Sequence, residues 1–133
     1  HEGGVNHRDY YLCHIHILPH EEPWPRLFVI DLNRADRHTK VGLRWRVKDL
    51  AALNYSADAD IFSTADRMRF LKKYLGVERL TNKHRRLIRR IVIKTGKIAR
   101  HAIRSKERDR RYAVAAGLAD PSTCSGCAGE TES

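Results

Sequence analysis

Between residues 82 and 112, the apolar residues Leu87, Ile88, Ile91, Val92, Ile98, Ala99, Ala102 and Ile103 recur at helical spacing. Arg86, Arg89, Arg90, Lys94, Lys97, Arg100 and Arg104 crowd the rest of that surface. A helix with one apolar stripe and one face saturated with cations cannot be buried all round. It must lay its stripe over a core, with its charges in solvent or on an anionic partner. Gly96 is the point at which it would break. In a chain of 133 residues such a helix leaves room for one domain, and 41 % hydrophobic residues supply a core and exclude wholesale disorder. No apolar run approaches the roughly 18 residues of a membrane span.

Upstream the pattern is different. Residues 11–18 and 26–31 are apolar runs of strand length on either side of a Pro-rich segment, which predicts a hairpin. Ile15, Ile17, Phe28 and Ile30 supply its β-branched and aromatic content. From residue 45 to about 57, Val47, Leu50, Ala51, Leu53 and Asn54 predict a helix. Ser63-Thr64-Ala65-Asp66 fits a capping box that opens a second helix to about Leu75, with Gly76 as its C-terminal cap. After Gly117 the composition turns small and polar, predicting one lobe over 1–117 and a disordered tail over 118–133. The class is α+β, mainly helical.

The net charge of +10 is the property of one segment. Residues 83–111 hold 13 Lys/Arg against two acids, and the remainder is close to neutral. An anionic partner therefore belongs to the C-terminal third. Arg86, Arg89, Arg90, Lys94 and Lys97 suit peripheral contact with an anionic membrane, at about 1 kcal/mol for each basic residue near the lipid. Docking with the charges merely solvated serves the stripe equally well. Nucleic acid is disfavoured, because no recognition motif accompanies the charge. Cys13 sits in an apolar stretch and reads as buried, while Cys124 and Cys127 lie in the tail. An odd count does not suit a disulfide framework, and one Cys pair is half a zinc site.

Residues 7–14 read H-R-D-Y-Y-L-C-H, and residues 29–35 read V-I-D-L-N-R-A. Protein-kinase-like enzymes carry H-R-D-x-x-x-x-N, a hairpin, and then a strand ending in a metal-binding Asp. Asp9 takes the catalytic position, His14 falls where the Asn stands, and Asp31 ends the second run. One carboxylate must orient the acceptor hydroxyl while another holds Mg²⁺ on the ATP phosphates, so both must reach one mouth. Read blandly, Asp9 caps a strand and Asp31 makes an Asx turn. His7, His14, His16 and His20 also invite a transition-metal reading, with His14 and His16 on one strand face. The kinase spacing already accounts for His7 and His14.

N-H-R-D-Y-Y-L-C-H-I-H-I-L, L-F-V-I-D-L-N-R-A, W-R-V-K-D-L-A-A-L-N-Y-S-A and D-R-M-R-F-L-K-K-Y-L together resemble the bacterial lipopolysaccharide core kinase family over about residues 5–76. The basic run after residue 80 is similar to that family's C-terminal segment. The resemblance implies the C-terminal lobe of a protein-kinase-like fold. It implies ATP and Mg²⁺ as cofactors, and transfer to a heptose or Kdo hydroxyl of the lipopolysaccharide inner core. The implied location is cytoplasmic, peripheral on the inner membrane. Residue by residue, Asp9 would position the sugar hydroxyl, Asp31 would hold Mg²⁺, and His14 would sit by the second metal or the phosphates. Asp49 matches a buried helix Asp that hydrogen-bonds the catalytic-loop backbone, and His7 and Arg8 lend structural support with it. Asn33 stands where the family usually has His. A kinase also needs a Gly-rich loop and a strand Lys upstream of H-R-D, and six residues precede it here. The chain is thus expected to be a fragment without the ATP-binding N-lobe, binding ATP weakly and turning over negligibly. The alternative is a non-catalytic basic module, a pseudokinase lobe binding anionic membrane or nucleic acid through residues 83–111.

Overall fold

The structure is a computed structural model that describes residues 1–19, 23 and 25–118. Four short strands precede three helices: β1 (Val5–Asn6), β2 (Ile15–Leu18), β3 (Arg26–Val29), β4 (Asp36–Arg37), α1 (Leu43–Ser56), α2 (Thr64–Leu75) and α3 (Asn82–Ala115). Two 3-10 turns, Leu12–His14 and Leu32–Arg34, flank the hairpin. The expected tail over 119–133, with Cys124 and Cys127, and His20 lie outside the described residues. The chain divides into two compact units, one from His1 to Ala99 and one beginning at Arg100.

In the first unit two antiparallel pairs set the geometry. β2 pairs with β3 in a register that opposes Ile15 to Val29 and Ile17 to Leu27. β1 pairs with β4, Asn6 opposite Asp36. That second pair clamps the two ends of the segment between them, so residues 7–14 and 31–34 are brought back to one place. Gly4 makes the clamp possible. Its φ is +75°, and a Cβ there would run into the carbonyl oxygen of His38, whose own N–H donates to Gly4 O at 2.7 Å.

The first run is shorter as a strand than its apolar pattern predicts. Residues 12–14 form a 3-10 turn because His14 N–H donates back to Tyr11 O at 3.0 Å, while Leu12 N–H is taken by Ser56 Oγ at 2.8 Å. His14 and His16 therefore do not share a strand face, and Cys13 is exposed, contrary to the expectation of burial.

Leu50 and Ala51 of α1, Leu71 of α2 and Ile91 of α3 form the buried cluster, with Leu87, Ile88 and Ile98 packed on it. Burying one such Leu is worth about 1.5–3 kcal/mol. The capping box is formed: Ser63 Oγ accepts from Asp66 N–H, Asp66 accepts from Ser63 N–H, and Gly76 closes α2 at φ +65°. Arg67 reaches from α2 to the end of α1, donating to Asn54 O at 2.8 Å and Ala57 O at 2.6 Å, which satisfies carbonyls the helix leaves open.

α3 runs through Gly96 without a break. A helical Gly costs about 1 kcal/mol relative to Ala. Here Thr95 and Ile98 anchor both sides of it, Thr95 through the Asn54 hydrogen bond at 3.1 Å and Ile98 on the core. Only part of the apolar stripe is used, since Val92 is 59 % exposed. Within the second unit the helix ends in a Schellman motif: Leu118 N–H donates to Ala113 O, Gly117 N–H donates to Val114 O, and Gly117 has φ +68°. No described helix is long and apolar enough to cross a membrane.

Candidate active site

The site is built around a buried carboxylate. Asp49 of α1 is 1 % exposed. Its Oδ2 accepts from His7 N–H at 2.8 Å and its Oδ1 from Arg8 N–H at 2.9 Å. A third donor comes from His1, Nε2 to Oδ2 at 3.0 Å. A buried carboxylate is tolerable only when its lone pairs are taken in this way. The two backbone bonds hold the loop rigidly enough that Arg8 keeps φ +72°, a left-handed conformation uncommon outside Gly. Arg8 then sends Nη1 to Asp36 Oδ2 at 2.9 Å, tying the loop to β4.

Behind Asp49 runs a hydrogen-bond chain with one direction. Arg46 Nε–H donates to Tyr74 Oη at 3.0 Å. The Tyr74 hydroxyl donates to His1 Nδ1 at 2.8 Å, and His1 Nε2–H donates to Asp49. The tautomer follows because the carboxylate only accepts. Sequence reasoning passed over His1, Arg46 and Tyr74. Their partners lie 28 to 73 residues away along the chain, and no local spacing marks them.

Asp9 comes next along the held loop. Its carboxylate is ion-paired with Arg34, Nη1 to Oδ2 at 3.0 Å, and its main-chain carbonyl accepts from His14 Nδ1 at 2.8 Å. The carbonyl can only accept, so Nδ1 carries the proton and Nε2 is turned toward Asp31, 3.5 Å from its Oδ2. Asp31 itself has φ +57°, a conformation Asp tolerates better than most residues. Its Oδ1 accepts from Asn33 Nδ2 at 3.1 Å. Asp31 lies two residues beyond the end of β3, at the head of the Leu32–Arg34 turn, rather than on the strand. Asp9, His14 and Asp31 thus share one mouth, with Arg34 as a cation the sequence reading did not single out.

His7 is buried, stacks on His14 at 5.7 Å between ring centroids, and donates through Nε2 to Ile30 O at 2.9 Å. It joins the loop at residues 7–14 to the segment leading into Asp31. Burial around the loop also acts on two phenols. Burial, and then the charge of Asp49, raises the Tyr10 hydroxyl above its usual range, and burial followed by Asp9 does the same for Tyr11. Both remain neutral. Lys48 is lowered, first by burial, with Arg34 and Arg8 pushing the same way and Asp9 opposing.

Whether these residues suit a magnesium ion is a question of donor chemistry. Asp31 offers a hard oxygen and is held by Asn33, and Mg²⁺ is commonly bound by one or two carboxylates together with phosphates and water. His14 Nε2 is a softer donor, which such an ion takes less readily. No group of three or more His, Cys, Asp or Glu side chains suited to a metal occurs among the described residues. A Mg²⁺ site centred on Asp31 and completed by substrate phosphates and water fits this donor chemistry.

Known proteins resemble this chain in sequence and in fold. The model of the lipopolysaccharide kinase (Kdo/WaaP) family matches residues 1–74. The lipopolysaccharide core heptose(I) kinase WaaP of Pseudomonas aeruginosa is 46 % identical over 78 residues, covering 56 % of this chain and 29 % of that protein. Its counterpart of the same name from Escherichia coli (strain K12) is 42 % identical over 80 residues, covering 58 % and 30 %. A solved structure of WaaP in complex with acyl carrier protein superposes with a TM-score of 0.59 at 40 % identity, over 73 % of this chain and 42 % of that one. The fold is α+β, mainly helical, and corresponds to the C-terminal lobe of a protein-kinase-like fold. The chain spans less than a third of the length of these two curated relatives. The matched segment covers more than half of the residues and contains Asp9, Asp31 and Asp49, and by it this chain belongs to the lipopolysaccharide kinase (Kdo/WaaP) family.

Proposed function

We propose that this lobe serves Mg·ATP-dependent phosphoryl transfer to a sugar hydroxyl, heptose or Kdo, of the lipopolysaccharide inner core. The observation that carries the proposal is the mouth itself. His14 donates to the Asp9 carbonyl on one side and faces the Asp31 carboxylate on the other, so both acids are set by a single ring. Family membership and the heptose kinase relatives support the same chemistry.

Asp31 would hold the magnesium ion, which when bound neutralises phosphate charge. The remaining work belongs to the chain. Asp9 accepts a hydrogen bond from the acceptor hydroxyl and takes its proton at a carboxylate oxygen, and the backbone bonds to Asp49 keep it from swinging. Arg34, paired with Asp9 at 3.0 Å and 61 % exposed, is placed to follow charge as it shifts from the hydroxyl toward the phosphate. A Gly-rich loop and a strand Lys are also required, and residues 1–6 do not supply them. On this reading the 133 residues alone bind ATP weakly, and the exposed apolar hairpin residues Ile17, Leu27 and Val29 lie on a surface that an ATP-holding half would cover. The enzyme would work on the cytoplasmic face of the inner membrane. The solved relative's complex makes an acyl carrier protein a partner to test here as well.

The metal assignment has its own experiment, in a polypeptide carrying an ATP-binding half upstream of His1. Asp31→Asn should raise the Mg²⁺ concentration that half-saturates transfer, whereas Asp9→Asn should end transfer and leave Mg²⁺·ATP binding in place. Unchanged Mg²⁺ dependence in Asp31→Asn would remove Asp31 from the metal site.

A second reading keeps the fold and drops the chemistry. The exposed Arg86, Arg89 and Arg100 on α3 favour a basic module that binds anionic membrane. Binding to anionic vesicles by an Asp9→Ala chain, with no transfer by the unsubstituted one even when it carries an ATP-binding half, is the result that would select it.

A further inference from the structure

One groove of the His1–Ala99 unit carries charge that the mouth at Asp9 and Asp31 leaves unexplained. Arg8, from the catalytic loop, and Arg44 and Lys48, from α1, stand on one side, with Arg90, Lys94 and Lys97 of α3 on the other. Trp45 lies among them, and the volume is about 580 Å³. Among the described residues no acid lines it. Among the described residues Lys48, Arg90, Lys94 and Lys97 form no ion pair. Arg8, Arg44 and Lys48 gather on the Trp45 indole, at 5.2, 5.4 and 5.9 Å from its centroid.

Arg8 is paired with Asp36, and the cations left without a counter-charge repel one another and weaken the folded state. Burial lowers the Lys48 ammonium, the charge of Asp9 opposes this, and Arg34 and Arg8 add to the lowering. An arrangement that costs stability points to a ligand that relieves it. The volume is that of a small-molecule site, roughly 300–1,000 Å³. A flat bilayer touches a rim, but it does not fill the space between two helices. A compact ligand with several phosphate or carboxylate groups does, and Arg and Lys are the side chains that take such groups. Lys48 also senses the charge of Asp9, so the groove adjoins the mouth.

We infer that this groove is an anion subsite for an acidic oligosaccharide, holding phosphate or carboxylate substituents so that the reacting sugar lies at Asp9. The identity of the sugar rests on the kinase reading; the anion binding does not. Three of the five α3 cations assigned to a membrane from sequence, Arg90, Lys94 and Lys97, thereby face a soluble ligand, and Arg86 and Arg89 stay outside the groove.

The test is titration calorimetry on the full chain with a deacylated inner-core oligosaccharide that carries Kdo carboxylates and sugar phosphates. Lys94→Glu/Lys97→Glu should weaken binding at least about tenfold. Arg86→Glu/Arg89→Glu, with the same change in net charge, should weaken it less than about twofold. Lys94→Gln/Lys97→Gln should give an intermediate loss, and circular dichroism checks that each variant folds. Removing the phosphates from the oligosaccharide separates the two anion sources: lost affinity assigns the subsite to phosphate, and retained affinity with the same sensitivity to the Lys pair assigns it to carboxylate. Equal effects of the two Glu pairs would overturn the proposal. So would a groove pair that weakens binding to Mg·ATP or to phosphatidylglycerol vesicles but not to the oligosaccharide. Titration reads affinity without turnover. An oligosaccharide that binds here and is not phosphorylated by a polypeptide that also carries an ATP-binding half would sink the kinase reading and leave the subsite standing.

Discussion

At Asp49, three donors converge on one buried carboxylate, and two of them are the backbone N–H groups of His7 and Arg8. Asp49→Ala leaves both N–H groups in a space closed to water, at about 1–3 kcal/mol each. The expected loss is about 2–4 kcal/mol in chemical denaturation, with a smaller loss for Asp49→Asn, which keeps one acceptor oxygen. A loss below about 1 kcal/mol would mean that solvent reaches the loop. Asp9, Asp31 and Asp49 are legible in the sequence because H-R-D, the Asp after the hairpin and K-D are local strings with fixed spacing. His1 and Tyr74 are not, because the bonds that define them cross 48 and 73 residues. Arg34 lies inside a quoted motif, and only its sign, opposite to that of Asp9, could have singled it out.

Elements with local signals are found within about two residues of where the pattern puts them. The Ser63 box is one, because both of its hydrogen bonds span three residues. Ser63→Ala should cost about 1 kcal/mol. Asp66 adds a pH signature: hydrogen bonds from Ser63, and then Arg69, hold its carboxyl below the ordinary value of 3.8. Its contribution is complete above that value and is lost as pH falls through the lowered one. The difference in unfolding midpoint between wild type and Asp66→Asn should therefore be present at neutral pH and vanish in acid. A difference that grew in acid would contradict the capping role. The turn at residues 12–14 and the unbroken α3 were hidden for a different reason. The first depends on Ser56 and the second on Asn54, both distant in sequence. Gly4→Ala tests the β1–β4 clamp. It meets the His38 carbonyl as well as a positive φ, whereas Gly76→Ala meets open space and only the φ penalty. The Gly4 variant should be the more damaging in thermal unfolding, and equal losses would show that the clamp gives way freely.

For the whole molecule, composition already places the positive charge in the last third, and the structure divides that charge. Part of it lines the groove beside Asp9, and part continues beyond Arg100 in the second unit. Net charge is a sum, and a sum does not say which helix face a residue occupies, so a groove between α1 and α3 was beyond sequence reasoning. The sequence-level resemblance reaches further than the packing rules do, because a catalytic loop, a hairpin, an acid and a buried helix Asp in that order are rare together. The central claim is that Asp9, held by Asp49, directs a sugar hydroxyl toward ATP. The direct measurement follows labelled phosphate from Mg·ATP onto dephosphorylated inner-core lipopolysaccharide, in a polypeptide with an ATP-binding half joined upstream of His1, beside Asp9→Ala. Label should enter the saccharide with the unsubstituted protein and be absent with Asp9→Ala at unchanged unfolding temperature. Label entering equally in both, or in neither while both are folded and bind ATP, would contradict it.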